Sequence, residues 1–292
     1  MSDDDWFTRA LAEADGEVDE PSGEEDDGFE DFAAAFENAP TPDEGDRDGD
    51  GGFNLDDSGG GHTEFEDEAF ESEIPRIEVG IEGLDEMILG GVPEQSLIAV
   101  VGSAGTGKTT VGLQFLSHAL ARDERCVYIT LEETHQRIVD TADEKGWGFS
   151  DHVEAGDLAV VDLDPEEMAN SLATISSDLP ELVEEFGASR LVLDSVSLLE
   201  MMYDKPSRRR SEVFDFSRSL KPAGVTTMVT SEARADSPYS SRYGIIEYLA
   251  DAVFVLRYVR PSDFQETRLA VEIQKIRDAN HARETKPYEL TD

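Results

Sequence analysis

The sequence predicts an α/β domain with a mostly parallel central sheet flanked by helices, preceded by a disordered acidic tail. Three observations predict it. The charge density changes abruptly near residue 75; beyond that point short apolar runs alternate with amphipathic segments; and a glycine-rich loop joins one apolar run directly to a helix-like segment.

The tail is taken as residues 1–73 and the domain as 74–292. Residues 1–75 hold 28 of the 67 Asp and Glu against only Arg9 and Arg47. With so few apolar residues, such a segment cannot offset the entropy of ordering its backbone, so it is expected to be disordered. Three aromatic islands interrupt it, around Trp6, from Gly28 to Phe36 and from Phe65. Phe29, Phe32, Ala33 and Phe36 fall at i, i+3, i+4 and i+7, the spacing that lines one face of a helix and can seat in a partner's groove. Asp46 to Asp57 matches the start of a calcium loop, with Asp46, Asp48 and Asp50 at alternate ligand positions and Gly51 at the turn. Position 12 is Asp57 instead of Glu, and Pro40, Pro42 and Gly59 to Gly61 oppose the flanking helices, so the sequence disfavours calcium there.

Within the domain, strands are expected over Leu97–Val101, Cys126–Leu131, Leu158–Val161, Arg190–Leu193, Thr226–Thr230, Ala252–Tyr258 and Thr267–Gln274. Helices are expected over Lys108–Ala121, Thr134–Glu144, Glu166–Phe186 and Arg208–Leu220. The single cysteine, Cys126, has no disulfide partner, no apolar run reaches membrane length, and the first residues are acidic. These features lead to the expectation of a cytoplasmic protein without a membrane span. The net charge of -43, with Arg outnumbering Lys, suits a cytosol of molar salt, where the Debye length is about 3 Å and crowded carboxylates are screened. That composition looks haloarchaeal.

After L-I-A-V-V comes G-S-A-G-T-G-K-T-T: Gly102, Ser103, Ala104, Gly105, Thr106, Gly107, Lys108, Thr109 and Thr110. This is a complete G-x-x-x-x-G-K-[ST] pattern, strand before and helix after. Its backbone N–H groups suit phosphate oxygens, the helix N-terminus adds partial positive charge, Lys108 reaches the phosphates, and the Thr109 hydroxyl suits Mg²⁺. ATP and Mg²⁺ are therefore the expected ligands. Further on, R-L-V-L-D-S ends an apolar strand on Asp194, from which a carboxylate holds the Mg²⁺ hydration shell.

Taken together, V-G-I-E-G-L-D-E-M-I-L-G-G-V-P, the phosphate loop, I-T-L-E-E-T-H-Q, L-V-L-D-S, V-T-S-E and K-I-R-D-A-N-H resemble a KaiC-type ATPase of the RecA superfamily. The resemblance spans about Pro75 to Leu290 and implies one RecA-like phosphate-loop NTPase domain, where the cyanobacterial clock protein has two. It implies that Glu132 and Glu133 orient and deprotonate the attacking water, with Glu132 favoured as the base. It also implies that Lys275, Arg277 and His281 form a finger reaching the nucleotide of an adjacent subunit, so that the active site is completed only in a ring, expected to be hexameric. Glu247-Tyr248 stands where the self-phosphorylating clock domain has Ser and Thr, so ATPase activity is expected and autokinase activity is not.

Two segments are candidates for contacting a partner, Lys205 to Arg210 and Ala233 to Gly244, where related recombinases touch DNA. The acidic domain and tail favour protein partners, the tail being one means of reaching them. The leading expectation is a regulatory or signalling ATPase. A recombinase-like DNA-binding ATPase and an archaellum-type assembly factor with little hydrolysis are the alternatives.

Overall fold

The computed structural model describes residues 74–89, 91–221, 224–259 and 267–288. The aromatic islands and the calcium-like loop lie outside the described residues. The chain enters through a two-residue strand, β1 (Arg76–Ile77), a short helix, α1 (Glu82–Ile88), and β2 (Val92–Pro93), which pairs antiparallel with β1.

The central strand is β3 (Leu97–Gly102), buried at all six residues because it has parallel neighbours on both sides. It is followed by α2 (Lys108–Leu120), β4 (Arg125–Thr130), α3 (His135–Glu144), α4 (Phe149–Ala155) and β5 (Leu158–Asp162). Next come α5 (Pro165–Asn170), α6 (Leu172–Phe186), β6 (Ala188–Asp194), α7 (Val196–Met201) and α8 (Pro206–Leu220). The chain closes with β7 (Thr226–Arg234), β8 (Ser237–Ser241), α9 (Ile246–Leu249), β9 (Ala252–Val259), β10 (Arg268–Ile276) and β11 (Lys286–Pro287). The sheet order is β11-β10-β9-β3-β7-β6-β4-β5, parallel from β9 to β5 and antiparallel at β10 and β11, with β8 hairpinned onto β7.

Side chains alternate across the sheet. Ile98 and Val100 pack with Phe115 and Leu116 of α2 and with Phe149 of α4 on one face, whereas Leu97, Ala99 and Val101 pack on the other with Leu179 of α6 and Phe216 of α8. Helices thus cover both faces, which leaves the ends of the strands as the place for polar chemistry. Among the described residues no helix is long and apolar enough to cross a membrane.

The expected strands are all present, six of them within one or two residues of their predicted ends; the seventh, expected over Thr226–Thr230, runs on to Arg234, where its end hairpins onto β8. The expected helix Glu166–Phe186 is two helices. Asp164 caps the first, its carboxylate accepting from the N–H groups of Glu166 and Glu167 with Pro165 at the first helical position, and Ser171, at φ -100° and ψ 11°, ends it before α6 begins. The helices not anticipated, α1, α4, α7 and α9, have seven residues or fewer, too short for a helical period to stand out, and the strands not anticipated, β1, β2, β8 and β11, have five or fewer.

Candidate nucleotide site

The phosphate loop leaves the C-terminal end of β3 and is shaped by its own polar groups. The Thr106 side chain, fully buried, donates to the Ser103 carbonyl at 2.8 Å, and Lys108 Nζ reaches the same oxygen at 3.2 Å. Gly102 has no room for a side chain, because a Cβ there would lie 2.3 Å from the Thr106 hydroxyl. Gly107, at φ 85°, turns the chain into α2 in a conformation that L side chains rarely adopt. From β9 the Tyr258 hydroxyl donates to the Gly105 carbonyl at 2.7 Å and fixes the far side of the loop. Ser103, Ala104 and Gly105 are exposed at its crest, and Thr110 continues α2 behind Thr109.

Asp194 lies beside the loop at the end of β6, only 3 % exposed. Oδ2 accepts from Thr109 at 2.6 Å and from Tyr128 at 2.8 Å, while Oδ1 accepts from Thr230. Four elements, α2, β4, β6 and β7, thus converge on one carboxylate. Burial pushes the Tyr128 phenol well above its ordinary range, with the Asp194 charge adding to the effect, so this hydroxyl acts only as a donor.

The doubled glutamate does not lie on the strand. β4 ends at Thr130, and Glu132 and Glu133 occupy the bend before α3, with both backbone N–H groups donating to Thr130 Oγ1, at 3.2 and 3.0 Å. Strand alternation therefore does not separate them. What does is Ser195, directly after Asp194, whose hydroxyl donates to Glu132 Oε1 at 2.6 Å. The Asp194–Ser195 peptide is cis. Thr134 then caps α3 by accepting from the Arg137 N–H. Lys108, Thr109, Asp194 and Glu132 are thus brought to one end of the sheet.

The predicted finger is at the other end. Lys275 is level with Val253 and hence with Ala99, whereas the phosphate loop begins past Gly102. Its Nζ donates to the carbonyls of Glu247 and Ala250, at 3.0 and 2.6 Å, and burial, then the neighbouring Arg277, lowers its pKa. Arg277 pairs with Asp251 at 3.1 Å and donates to the Tyr248 carbonyl. His281 Nδ1 lies 2.9 Å from the Ala282 carbonyl. None of the three is brought to the phosphate loop of its own chain.

The two segments considered for partner contact are largely bonded within the chain. Arg209 donates to the carbonyls of Glu200 and Tyr203 and stacks on Tyr243 at 3.8 Å. Arg234 pairs with Asp236 and Arg242 with Glu232. Those two pairs line a cavity of about 420 Å³ that opens beside Ser103 and Ala104.

Sequence reasoning missed Tyr128, Thr230, Ser195 and Tyr258. The signal available for Thr230 was the run of hydroxyl residues in T-T-M-V-T-S, unusual for a buried strand; Tyr128 and Tyr258 read simply as strand aromatics.

Fold and loop together define a phosphate-loop ATPase domain of RecA type, with helices on both faces of a mostly parallel sheet. The family model described as ATPase: KaiC matches residues 77–292. The circadian clock oscillator protein KaiC of Acaryochloris marina is 32% identical over 228 residues, 75% of this chain and 43% of its own length. That of Synechococcus elongatus is 32% identical over 226 residues, 75% and 44% respectively. The crystal structure of a KaiC-like protein from the hyperthermophilic archaeon Pyrococcus horikoshii has 31% sequence identity and a TM-score of 0.65, covering 74% of this chain and 95% of that one. The chain therefore belongs to the KaiC ATPase family and carries a single KaiC-like domain. It spans less than half the length of these curated relatives.

Proposed function

We propose that this protein is a cytoplasmic KaiC-like regulatory ATPase that hydrolyses ATP within a hexameric ring. The observation that carries the reading is the pair of bonds at the end of β6: Asp194 to the Thr109 hydroxyl, and the next residue, Ser195, to Glu132. They tie the phosphate loop, the acidic strand end and the candidate base into one rigid unit. The site fits nucleotide and metal: its glycines leave the loop open to phosphate oxygens, and the Thr109–Asp194 pair offers the hydroxyl and carboxylate that suit a hydrated divalent cation. Thr109 and Asp194 would hold a Mg²⁺ ion, which would supply positive charge to offset the negative charge of the phosphates.

The rest of the chemistry belongs to the chain. Backbone N–H groups of Gly105 to Lys108 and the Lys108 ammonium hold the phosphates at the N-terminus of α2. Glu132, with Oε1 fixed by Ser195, orients a water and takes its proton as the water oxygen bonds to the γ-phosphorus. The bond from that phosphorus to the bridging oxygen breaks, releasing ADP and phosphate. Glu133 receives no side-chain hydrogen bond among the described residues, which supports Glu132 as the base. An acidic tail and a domain whose basic loops are internally paired favour protein partners over DNA.

Lys275 and Arg277, far from their own loop, would serve a neighbour's nucleotide. Complementation tests this. Lys108→Ala and Arg277→Ala should each be nearly inactive alone, and mixing them should restore turnover, because some interfaces then pair an intact loop with an intact finger. Arg277→Ala hydrolysing normally by itself would remove the ring from the mechanism.

A further inference from the structure

Helix α7 joins the proposed base to a carboxyl group that no hydrogen bond satisfies. Its six residues follow directly on Ser195, whose hydroxyl is spent on Glu132 instead of capping the helix. Ser197 then accepts from the Glu232 N–H at 2.6 Å and donates to the Ser231 hydroxyl, which ties α7 to the end of β7. About one and a half turns after Ser195 comes Glu200, fully buried, with neither carboxyl oxygen partnered. The charges that act on it are Glu247 of α9, Arg209 of α8 and Arg242 just after β8. Of the other elements packed on α7, α5 brings Glu166 and Glu167, both exposed, and β7 brings Glu232, which is paired with Arg242.

Both cations near Glu200 are already engaged. Arg209 donates to the carbonyls of Glu200 and Tyr203 at the C-terminal end of α7, and Arg242 donates to the Glu232 carboxylate. We infer, on the reading of Glu132 as the base, that Glu200 is a positioning residue for hydrolysis: uncharged, it leaves α7 seated so that Ser195 holds Glu132; ionised, it draws Arg209 or Arg242 off its present contacts and unseats α7. Either move loosens the helix. Arg209 turning to the carboxylate frees carbonyls that have no donor within the helix. Arg242 turning to it frees the side chain of Glu232, the residue whose N–H Ser197 holds. Burial, and then the charge of Glu247, raises the Glu200 carboxyl to about 7, so the seated form prevails below that pH and turnover declines as pH rises through it.

The pH dependence of ATP turnover in high KCl tests this, with wild type compared with Glu200→Gln and Glu200→Met, two uncharged side chains of similar length. Circular dichroism checks that each chain stays folded across the range. Wild-type kcat should fall about 10-fold between pH 6 and pH 9 with KM for ATP changing less than about 2-fold, whereas both variants should keep a nearly flat profile. Hydrogen exchange without nucleotide, corrected for its intrinsic pH dependence, gives a readout independent of hydrolysis. Amides of α7 should exchange about 10-fold faster at pH 9 than at pH 6 in the wild type, and equally at both in the variants. Variant profiles that fall in parallel with the wild type, or wild-type α7 amides that do not respond to pH, overturn the inference. Glu132→Gln cleaving ATP at the wild-type rate while α7 still responds to pH would instead overturn the proposed base, and with it the link from α7 to turnover.

Discussion

Asp194 and Glu200 are both buried carboxyl groups, six residues apart on either side of the β6–α7 junction, in opposite circumstances. Asp194 accepts from three hydroxyls supplied by α2, β4 and β7. Glu200 is fully buried on α7 and neither carboxyl oxygen has a hydrogen-bond partner; Arg209 bonds its backbone carbonyl instead. Burial, reinforced by the charge of Glu247, raises the Glu200 carboxyl to about 7. Hydrogen bonds make a buried charge tolerable at one position, and their absence makes the neutral acid the favoured form at the other. The first arrangement belongs to the proposed nucleotide site; the second leaves a titration inside the fold.

The largest expected effect is at Asp194. Asp194→Ala strips the acceptor from Thr109, Tyr128 and Thr230, and on the proposed function ATP turnover should fall at least ~100-fold, because the carboxylate proposed to hold the metal is gone. Thermal melting should fall as well, since a buried donor left unmet costs about 1–3 kcal/mol. Asp194→Asn, which keeps an acceptor oxygen, should recover more stability than activity, and equal loss of both would show the cluster to be structural alone.

Glu200 has the next largest effect, and its sign follows from proton binding. The folded state holds the Glu200 proton up to about 7, whereas the unfolded chain releases it near 4.5, so stability is highest below 4.5 and declines as pH rises from there through 7. The full difference amounts to roughly 3 kcal/mol. Denaturant midpoints at pH 5 and pH 8 should therefore diverge in the wild type and converge in Glu200→Gln. If the variant kept the same pH dependence, Glu200 would not be the titrating group.

Tyr128→Phe is the mildest of these changes. It removes one of three donors to Asp194 without altering volume much, and about 1 kcal/mol of stability and a few-fold in turnover should be lost. A loss as large as that of Asp194→Ala would mean that the phenol does more than donate.

How much of this was legible beforehand depends on range. The strands and the loop Gly102 to Thr110 are local patterns, a run of apolar residues or a glycine spacing, and they lie where the sequence places them. Thr230 and Tyr128 reach Asp194 only because the sheet order sets β7 and β4 on either side of β6. No sequence window contains that neighbourhood. Glu132 and Glu133 were legible as a pair, but the bend that removes them from the strand is bonded to one hydroxyl, Thr130, and the contact that distinguishes them comes from another, Ser195. Lys275 and Arg277 were legible as a basic pair; the register that carries them to the far end of the sheet was not.

The central claim is that Glu132 carries the proton in ATP hydrolysis, and single-turnover ATP cleavage by Glu132→Gln and Glu133→Gln in high KCl tests it most directly. Glu132→Gln should retain ATP binding and lose cleavage by about 100-fold or more, while Glu133→Gln stays within about 10-fold of wild type. Unchanged cleavage in Glu132→Gln would contradict the account.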